Sequence, residues 1–366
     1  MRTRLKILFL TRKWPPAVGG MEAYSRDLAR ALEAHACVDL RALPGKANGK
    51  RPSAFAMIVF GVATAFDILL KGTDADVAHG ADLAIWPLVF IATLRRRSVR
   101  PVLSAHGSDI ALSFKRGLRA ALYRLYLKLG VFLLPSVIVL ANSRATADLC
   151  ARRGFAHVRI VHLATLAADD ECLAPEPFIL FVGRLIPQKG CGWFIREVLP
   201  LLDERLRFAV AGIAWDEEEE AALSHPRVRF HGPVFGAALR DLRARATAIV
   251  VPNLDLGLES FEGFGLTATE GAADGGVVLA CDLHGIADAV RHGTTGFLMQ
   301  AGDAAAWAAK IHEIAAWSQD ERKAFIAASR AAVARIYSWP RVADETLAAY
   351  RAGGERSLAA PAVSKS

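Results

Sequence analysis

The chain has 366 residues, of which 53% are hydrophobic, and it carries a formal net charge of +8. This length is more than one hydrophobic core usually supports, so we expect two domains. Five scattered cysteines without a C-x-x-C pair predict neither a disulfide framework nor a zinc site, and no stacking aromatics interleave the arginine clusters as in nucleic-acid-binding segments. We therefore expect a protein of a reducing compartment that binds no nucleic acid.

The charge is divided unevenly along the chain. Residues 1–170 carry 25 Lys and Arg against 12 Asp and Glu, whereas residues 171–366 carry 20 against 25. A basic first half indicates a domain that meets an anionic surface or acceptor.

Strand-like and helix-like segments alternate through the first half. An apolar run at 5–10 predicts the first strand, a turn at Gly19 and Gly20 follows, and an amphipathic pattern predicts a helix at 21–32. Such a junction places helix N–H groups at the carboxyl end of a parallel sheet, where phosphates bind, although the motif is not G-x-G-x-x-G. Further strands are predicted at 37–42, 75–79, 101–105, 136–141 and 158–162. The alternation predicts an α/β fold with a parallel doubly wound sheet.

Three apolar runs raise the question of membrane crossing. They span residues 55–66, 83–94 and 129–140, and each is shorter than the ~20 residues that a spanning helix needs. We expect all three to be buried elements. The first residues lead into a strand pattern without the features of a secretion signal, so we expect a cytoplasmic protein.

Two polar residues follow the predicted strand at 101–105. They are His106 and Asp109, in the order His-Gly-Ser-Asp. The carboxyl end of a parallel strand is where ligands bind, so His106 is a candidate ligand contact. A lone histidine at a strand end is also often structural, and the residues alone leave both interpretations open.

Residues 113–130 predict a basic amphipathic helix. Its leucines recur at helical spacing at positions 118, 122, 125 and 129. The basic residues around them are Lys115, Arg116, Arg119, Arg124 and Lys128. Two interpretations are open: the helix packs on the sheet with a solvated charged rim, or it docks on an anionic membrane.

The second half repeats the strand-and-helix pattern after a predicted linker at 175–177. A strand is predicted at 178–182 and a helix at 191–199, with Arg184 and Lys189 on the loop between them. Two cations ahead of a helix N-terminus form an anion clamp. Further strands are predicted at 207–211, 228–230 and 249–252.

The stretch from 250 to 299 reads strand, acidic glycine loop, helix, strand, turn, helix and strand. At its centre, residues 262–270 have the sequence EGFGLTATE. The two glycines allow a sharp turn that aims the N–H groups near Phe264, Gly265 and Leu266 at an anion. Glu262 lies in the loop and Glu270 lies within the helix, an arrangement that suits a ligand with two polar ends.

These motifs resemble the retaining glycosyltransferases of family 4. The resemblance rests on the Glu-x7-Glu spacing in EGFGL, on G-R-x-x-x-x-K-G at 183–190, on His-Gly-x-Asp at 106–109 and on the Gly-Gly turn at 19–20. It covers nearly the whole chain and is strongest at 178–299. The sequence departs from the family pattern at His284, where a glycine is usual.

The resemblance implies a GT-B fold of two facing Rossmann-like domains. The first, at 1–170, binds the acceptor and the second, at 171–335, binds the nucleotide-sugar donor. A helix at 336–352 returns to the first domain, and we expect residues 353–366 to be a disordered tail.

The resemblance also implies a role for each candidate residue. His106, Glu262, Arg184 and Lys189 are the catalytic candidates. The donor-binding candidates are Gly19, Gly20, Arg184, Lys189, Glu262, Phe264, Gly265, Leu266 and Glu270. Asp109 and the five basic residues of the predicted helix at 113–130 form the acceptor-side or membrane group. We expect no metal, including at the D-x-D of residues 74–76, and no cofactor.

The activity implied is transfer of a sugar, with retention of configuration, from a nucleoside diphosphate sugar to a glycan or lipid-linked acceptor. Assembly of bacterial surface polysaccharide, lipopolysaccharide or glycolipid is the expected setting, with the enzyme peripheral at the inner face of the membrane. A nucleotide-sugar epimerase of the same fold and a non-catalytic subunit that binds nucleotide sugar are the alternatives.

Overall fold

The computed structural model describes residues 4–17, 19–46, 49, 50, 52–166 and 173–352. The chain forms two compact units, Met1–Leu163 together with Trp339–Ser366, and Ala164–Ser338. The divisions predicted from the sequence lie after residues 170 and 335. The predicted tail at 353–366 lies outside the described residues.

The first unit is built on a six-stranded parallel sheet. Its strands are β1 (Lys6–Trp14), β2 (Cys37–Pro44), β3 (Val77–Gly80), β4 (Arg100–Ala105), β5 (Ile138–Ala141) and β6 (His157–Ile160). The spatial order is β2-β1-β3-β4-β5-β6, so the strand order reverses between β1 and β3. Phe9 in the middle of β1 is buried between Leu40 and His79 of the neighbouring strands. A reversal of this kind creates the crevice where ligands of such sheets bind.

Helices connect these strands. They are α1 (Gly20–Glu33), α2 (Ala54–Lys71), α3 (Trp86–Arg95), α4 (Ser108–Ala111), α5 (Leu118–Leu133) and α6 (Arg144–Arg152), with 3-10 turns at Leu83–Ile85 and Leu112–Phe114. Hydroxyl side chains cap two of them: Ser53 Oγ accepts from Ala56 N at the start of α2, and Ser143 Oγ accepts from Thr146 N at the start of α6. Each cap satisfies an N–H group that has no partner within the helix.

The second unit contains another six-stranded parallel sheet. Its strands are β7 (Glu176–Leu185), β8 (Arg207–Ala214), β9 (Val228–Gly232), β10 (Ala246–Val251), β11 (Val278–Cys281) and β12 (Phe297–Met299). The spatial order is β12-β11-β10-β7-β8-β9. The linker predicted at 175–177 is wrong in part, because Glu176 and Pro177 begin β7. The register between β7 and β10 shifts beside Pro177, between Ala246 and Ala248, and this irregularity accommodates a residue that has no N–H to donate.

The helices of the second unit begin with α7 (Cys191–Trp193), which continues through a π turn at Phe194–Val198 and a 3-10 turn at Leu199–Leu201. The others are α8 (Glu217–Ala222), α9 (Gly236–Arg245), α10 (Leu266–Ala273), α11 (Ile286–Ala289), α12 (Ala304–Ala315) and α13 (Gln319–Ile336), with 3-10 turns at Pro187–Lys189 and Gly257–Ser260. Ser318 and Glu321 form a reciprocal capping box at the start of α13.

The final described helix, α14 (Trp339–Arg351), belongs to the first unit. Its Tyr350 hydroxyl lies 2.5 Å from His79 Nδ1 of β3, and Arg100 at the start of β4 donates to the Tyr350 and Arg351 carbonyls. The prediction of two doubly wound sheets with a C-terminal helix that returns to the first is therefore confirmed.

One of the three apolar runs is mostly exposed rather than buried. We expected residues 55–66 to be buried, but this prediction is wrong: Phe55 is 75% exposed, Phe66 is 60% exposed, and only Thr64 and Ile68 of α2 are buried. Among the described residues, α2 is the one helix that is long and apolar enough to cross a membrane, judged by length and composition alone. The run at 83–94 is largely buried, and the run at 129–140 is divided between the end of α5 and the buried strand β5.

Candidate functional site

The loop after β7 places Lys189 beside Glu262, which lies in the glycine-containing loop before α10. Lys189 Nζ forms an ion pair with Glu262 Oε2, and the two side chains keep 17% and 22% of their surface exposed. Gly190 makes this approach possible: its φ is +69°, and a Cβ at this position would lie 2.0 Å from the Pro252 carbonyl oxygen. Leu254 N also donates to the carbonyl of Gln188. The lysine loop is thus fixed against the end of β10.

Glu262 is held as a carboxylate. Burial acts to raise its pKa, but Lys189, Arg184 and a hydrogen bond from Asn253 outweigh burial and leave the pKa below its ordinary value. Asn253 Nδ2 lies 3.4 Å from Glu262 Oε2. A charged, partly exposed carboxylate of this kind accepts hydrogen bonds from the hydroxyl groups of a ligand.

Arg184 is the last but one residue of β7, the strand that precedes the Lys189 loop. Its guanidinium is 4.9 Å from the ring centroid of Trp215, a cation–π contact that holds the side chain in one place. Because Arg184 contributes to the lowered pKa of Glu262, it is within electrostatic reach of that carboxylate. The structure therefore brings together Arg184, Lys189 and Glu262, which the sequence analysis assigned to one site.

The start of α10 is tightly packed. Gly265, the residue before the helix, has a φ of +89°, and Gly285 N donates to the Glu262 carbonyl. A Cβ on Gly285 would lie 1.9 Å from the carbonyl oxygen of Gly263. Phe264 is buried, with its ring 5.9 Å from that of Tyr337, so its side chain belongs to the core. The prediction that Phe264 contributes to donor binding therefore concerns its backbone N–H group and not its ring.

His284 stands in this tight turn, at a position where the family that the sequence resembles usually has glycine. Its φ is +49°, in the left-handed region that favours glycine. Its ring lies 4.8 Å from that of Phe261, and burial lowers the pKa of the imidazole. The aromatic contact provides a physical reason why a histidine is tolerated in a strained backbone conformation.

Glu270 is fixed by a residue that the sequence analysis missed. Arg243 of α9 donates to Glu270 Oε2 at 2.5 Å and to Asp274 Oδ2 at 2.8 Å. Arg243 and Asp274 are buried, whereas the Glu270 side chain keeps 40% of its surface exposed. Arg243 therefore orients a carboxylate that a ligand can still reach. No local motif marks Arg243, since its partners lie on another helix.

His106 and Asp109 are joined in the first unit. His106 N donates to Asp109 Oδ1 at 2.9 Å, and burial raises the pKa of the Asp109 carboxyl. His106 Nε2 lies 2.8 Å from the carbonyl oxygen of Ala81, which can only accept, so Nε2 carries the proton. The Tyr24 ring packs edge-on against His106 at 4.6 Å. These contacts fix the position of the imidazole.

Arg12 and Asp82 form a further polar pair at the strand reversal of this sheet. Arg12 Nε lies 2.9 Å and 3.2 Å from the two carboxylate oxygens of Asp82, which is buried. Both residues lie toward the carboxyl ends of β1 and β3, at the edge where His106 follows β4. This pair was not predicted from the sequence, because its two residues are 70 positions apart and belong to no shared motif.

Gly19 and Gly20 begin α1. Gly20 is the first residue of the helix, and a Cβ on Gly19 would lie 2.4 Å from Glu22 Oε2. Glu22 is buried, and Lys13 Nζ lies 3.7 Å from its other oxygen. The missing side chain at Gly19 therefore lets Glu22 fold back over the turn.

The basic residues around α5 do not share one environment. Arg116, Arg119 and Lys128 are exposed, Lys115 is half-buried, and Arg124 donates to the Ser113 carbonyl at 3.3 Å. The structure thus leaves three of the five on the outer surface of the first unit.

No group of three His, Cys, Asp or Glu side chains within the described part of the chain is arranged to hold a metal ion. The two aspartates of the D-x-D are both engaged by Lys6: Asp74 pairs with its ammonium group, and Asp76 accepts from its backbone N–H.

The sequence of the second unit matches a known family model. Residues 176–316 match the model of Glycosyl transferases group 1. Similar curated proteins include the D-inositol 3-phosphate glycosyltransferases of Streptomyces scabiei, 33% identical over 205 residues, and Streptomyces avermitilis, 32% identical over 207 residues. Each alignment covers 52% of this chain, and they cover 43% and 42% of the two relatives. The chain therefore spans less than half the length of the curated relatives it matches.

Solved structures resemble the chain over nearly its whole length. HepE of Anabaena in complex with UDP has a TM-score of 0.70 at 18% identity, with 94% of this chain and 99% of that chain covered. Sucrose-phosphate synthase of Thermosynechococcus elongatus has a TM-score of 0.69 at 19% identity, with 95% and 98% covered. The fold is GT-B. At these identities the likeness concerns the fold, and the chemistry must be argued from the residues.

Proposed function

We propose that the chain is a retaining glycosyltransferase of the family 4 type, a hexosyltransferase that moves a sugar from a nucleoside diphosphate to an acceptor. The observation that carries the proposal is the joint placement of Arg184, Lys189 and Glu262 in the second unit. The match of residues 176–316 to Glycosyl transferases group 1 supports it. The solved complexes of HepE with UDP and with UDP-glucose support a nucleotide sugar as donor.

In this proposal the second unit stabilises the leaving group. The bond between the anomeric carbon and the diphosphate oxygen breaks, and negative charge develops on the diphosphate. Arg184 and Lys189 neutralise that charge, together with N–H groups at the start of α10. We assign this task to protein cations rather than to a metal ion, so turnover should be unchanged in EDTA.

Glu262 and Glu270 hold the two ends of the donor. The lowered pKa of Glu262 keeps it charged at neutral pH, so it can accept hydrogen bonds from sugar hydroxyls. Glu270, oriented by Arg243, accepts from the ribose. A ribose contact is similar in the ground state and the transition state, so it contributes to donor affinity more than to turnover.

The acceptor hydroxyl attacks from the face that the diphosphate leaves, and its proton passes to the departing phosphate oxygen. The configuration at the anomeric carbon is thereby retained. His106, whose imidazole is fixed by Ala81 and Tyr24, is the residue that we assign to ordering the reacting sugar. A glycan or lipid-linked acceptor of surface polysaccharide, lipopolysaccharide or glycolipid assembly suits the basic first half of the chain.

Product analysis tests the proposal. Purified protein is incubated with UDP-, GDP- and ADP-sugars and a bacterial lipid extract, with and without EDTA, and the products are analysed by mass spectrometry and NMR. We expect a glycoside with the anomeric configuration of the donor and release of nucleoside diphosphate. An epimerised donor would identify an epimerase instead, and tight donor binding without any product would identify a non-catalytic subunit.

A further inference from the structure

The outward face of α2 is apolar along its whole length. Its exposed side chains recur at helical spacing and leave the inner side of the helix to pack on the protein. They are Phe55, Ile58, Val59, Val62, Phe66, Leu69 and Leu70, with exposed fractions from 48% to 78%. A contiguous exposed apolar surface of this kind marks an interaction site in most proteins.

The topology excludes a spanning role for α2. This helix connects β2 to β3, and both strands pair with β1 in one sheet. A helix that crossed a bilayer would place β2 and β3 on opposite sides and break that pairing. An apolar helix whose two ends stay on the same side of a membrane can only lie along its surface.

A second apolar stripe runs along α5. Its exposed apolar side chains are Leu118, Leu122, Leu125, Leu129 and Phe132. The stripe includes the four leucines for which the sequence left two interpretations open, packing on the sheet or docking on a membrane, and these leucines are exposed. Since α2 packs against α3 and α3 packs against α5, the two stripes belong to one helical layer of the first unit.

The charges beside these stripes identify the partner. Residues 83–147 carry ten Lys and Arg and one acidic residue, Asp109. Asp109 is engaged by the backbone N–H groups of His106 and Ile110, whereas Arg116, Arg119 and Lys128 are exposed beside the leucines of α5. A symmetric pairing of two copies would bring the same cationic rim against itself. An anionic lipid surface complements both the apolar stripes and the rim.

We propose that α2 and α5 together insert their outward faces into the interface of an anionic bilayer, with Arg116, Arg119 and Lys128 on the lipid headgroups. The inference does not depend on the proposed activity. It differs from the binding that the basic helix alone would give. Purely electrostatic attachment is lost when salt reduces the screening length to ~3 Å at 1 M, whereas burial of apolar side chains persists at high salt.

Vesicle co-sedimentation of the full chain tests the inference. The vesicles contain phosphatidylcholine alone or phosphatidylcholine with phosphatidylglycerol, at 0.1 M and 1 M NaCl. The test variant carries Ile58→Gln, Val62→Gln and Phe66→Gln on α2. The matched control carries the same number of apolar-to-Gln changes at exposed positions of the second unit, Leu166, Leu201 and Phe230.

We expect wild type and the control to bind the anionic vesicles at 0.1 M NaCl and to remain in part bound at 1 M NaCl. The α2 variant should bind at least tenfold more weakly at both salt concentrations. Replacement of Arg116, Arg119 and Lys128 by Glu should abolish binding at 0.1 M NaCl.

Three results would overturn the inference. They are equal binding by wild type and the α2 variant, no binding of wild type to either kind of vesicle, and complete release of wild type at 1 M NaCl. Sedimentation velocity without vesicles distinguishes a further case, because a wild-type dimer that the α2 variant dissociates would assign the face to a second copy of the chain. Nucleotide binding by the α2 variant is measured separately. We expect it to equal that of wild type, so that loss of vesicle binding can be distinguished from failure of the proposed function.

Discussion

The ion pair between Lys189 and Glu262 can be tested as a unit. Loss of one partner from a buried ion pair costs ~3–5 kcal/mol, because the remaining charge is left without compensation. The two side chains here keep 17% and 22% exposure, and Glu262 retains Asn253 and Arg184 as neighbours. We therefore expect Lys189→Met to lower the free energy of unfolding by about 2–3 kcal/mol. For a unit of this size, that corresponds to a fall in Tm of about 4–12 °C.

A double-mutant cycle that combines Lys189→Met with Glu262→Gln isolates the interaction energy of the two side chains from their contacts with other residues. Since the two residues act on each other, the double variant should be more stable than the sum of the single effects predicts, by at least ~1 kcal/mol. The exposed pair Arg205 and Asp203 in the same unit is the control, and Arg205→Met should produce no measurable change. Each single change at the site should also lower turnover by ~10²-fold or more.

The assays are differential scanning calorimetry for stability and donor consumption at saturating donor for turnover. Strictly additive stability effects would refute the reasoning, because they would mean that Lys189 and Glu262 do not interact in solution. Normal turnover of a folded Lys189→Met protein would remove Lys189 from the site.

Acid sensitivity gives an independent measure of the same carboxylate. The folded-state pKa of Glu262 is lowered from 4.5, so its ion pair contributes full stability above pH 4.5. That contribution is lost as the pH falls through the lowered pKa. The stability difference between wild type and Glu262→Gln should therefore shrink as the pH falls below 4.5. Chemical denaturation at pH 7 and at pH 3 measures this difference, and an unchanged difference would contradict the assignment.

Two further predictions concern residues that position the site. Arg243→Lys should raise the donor KM, with kcat less affected, because a lysine cannot contact Glu270 and Asp274 with two separate nitrogens as the guanidinium does, and Glu270→Ala should do the same; steady-state kinetics decides, and a fall in kcat at constant KM would contradict this role. Gly190→Ala should destabilise the protein more than Gly293→Ala, although both glycines have a positive φ, because only at Gly190 would the new Cβ meet the Pro252 carbonyl oxygen, at 2.0 Å. Thermal unfolding compares the two variants, and equal shifts would refute the clash.

The regular alternation of strands and helices was predictable because apolar periodicity and glycine turns are local signals. The proximity of Lys189 and Glu262 was also predictable, since Arg184 and Lys189 lie in a short motif at the end of β7 and Glu262 lies in a short motif just before α10. Arg243 and Asn253 could not be found in this way. Their roles arise from contacts with Glu270 and Glu262 that only the folded chain creates.

The predicted burial of residues 55–66 failed for a different reason. Composition identifies an apolar helix, but it does not say which side of the helix has a partner. In α2 the inner face packs on α3, and seven large apolar side chains lie exposed on the outer face. The same ambiguity affected the leucines of α5, whose spacing is right for packing on the sheet although they point outward.

The measurement that tests the central claim most directly is isothermal titration calorimetry of UDP, GDP and ADP with wild type and with the Arg184→Ala, Lys189→Ala double variant. Hydrogen bonds to a charged group contribute ~1.5–3 kcal/mol each, so loss of both cations should weaken binding by more than tenfold. The account predicts that one of the three nucleotides binds the wild type and that the double variant, shown by circular dichroism to be folded, binds it at least tenfold more weakly. Equal affinities for the two proteins, or no binding of any of the three to the wild type, would contradict it.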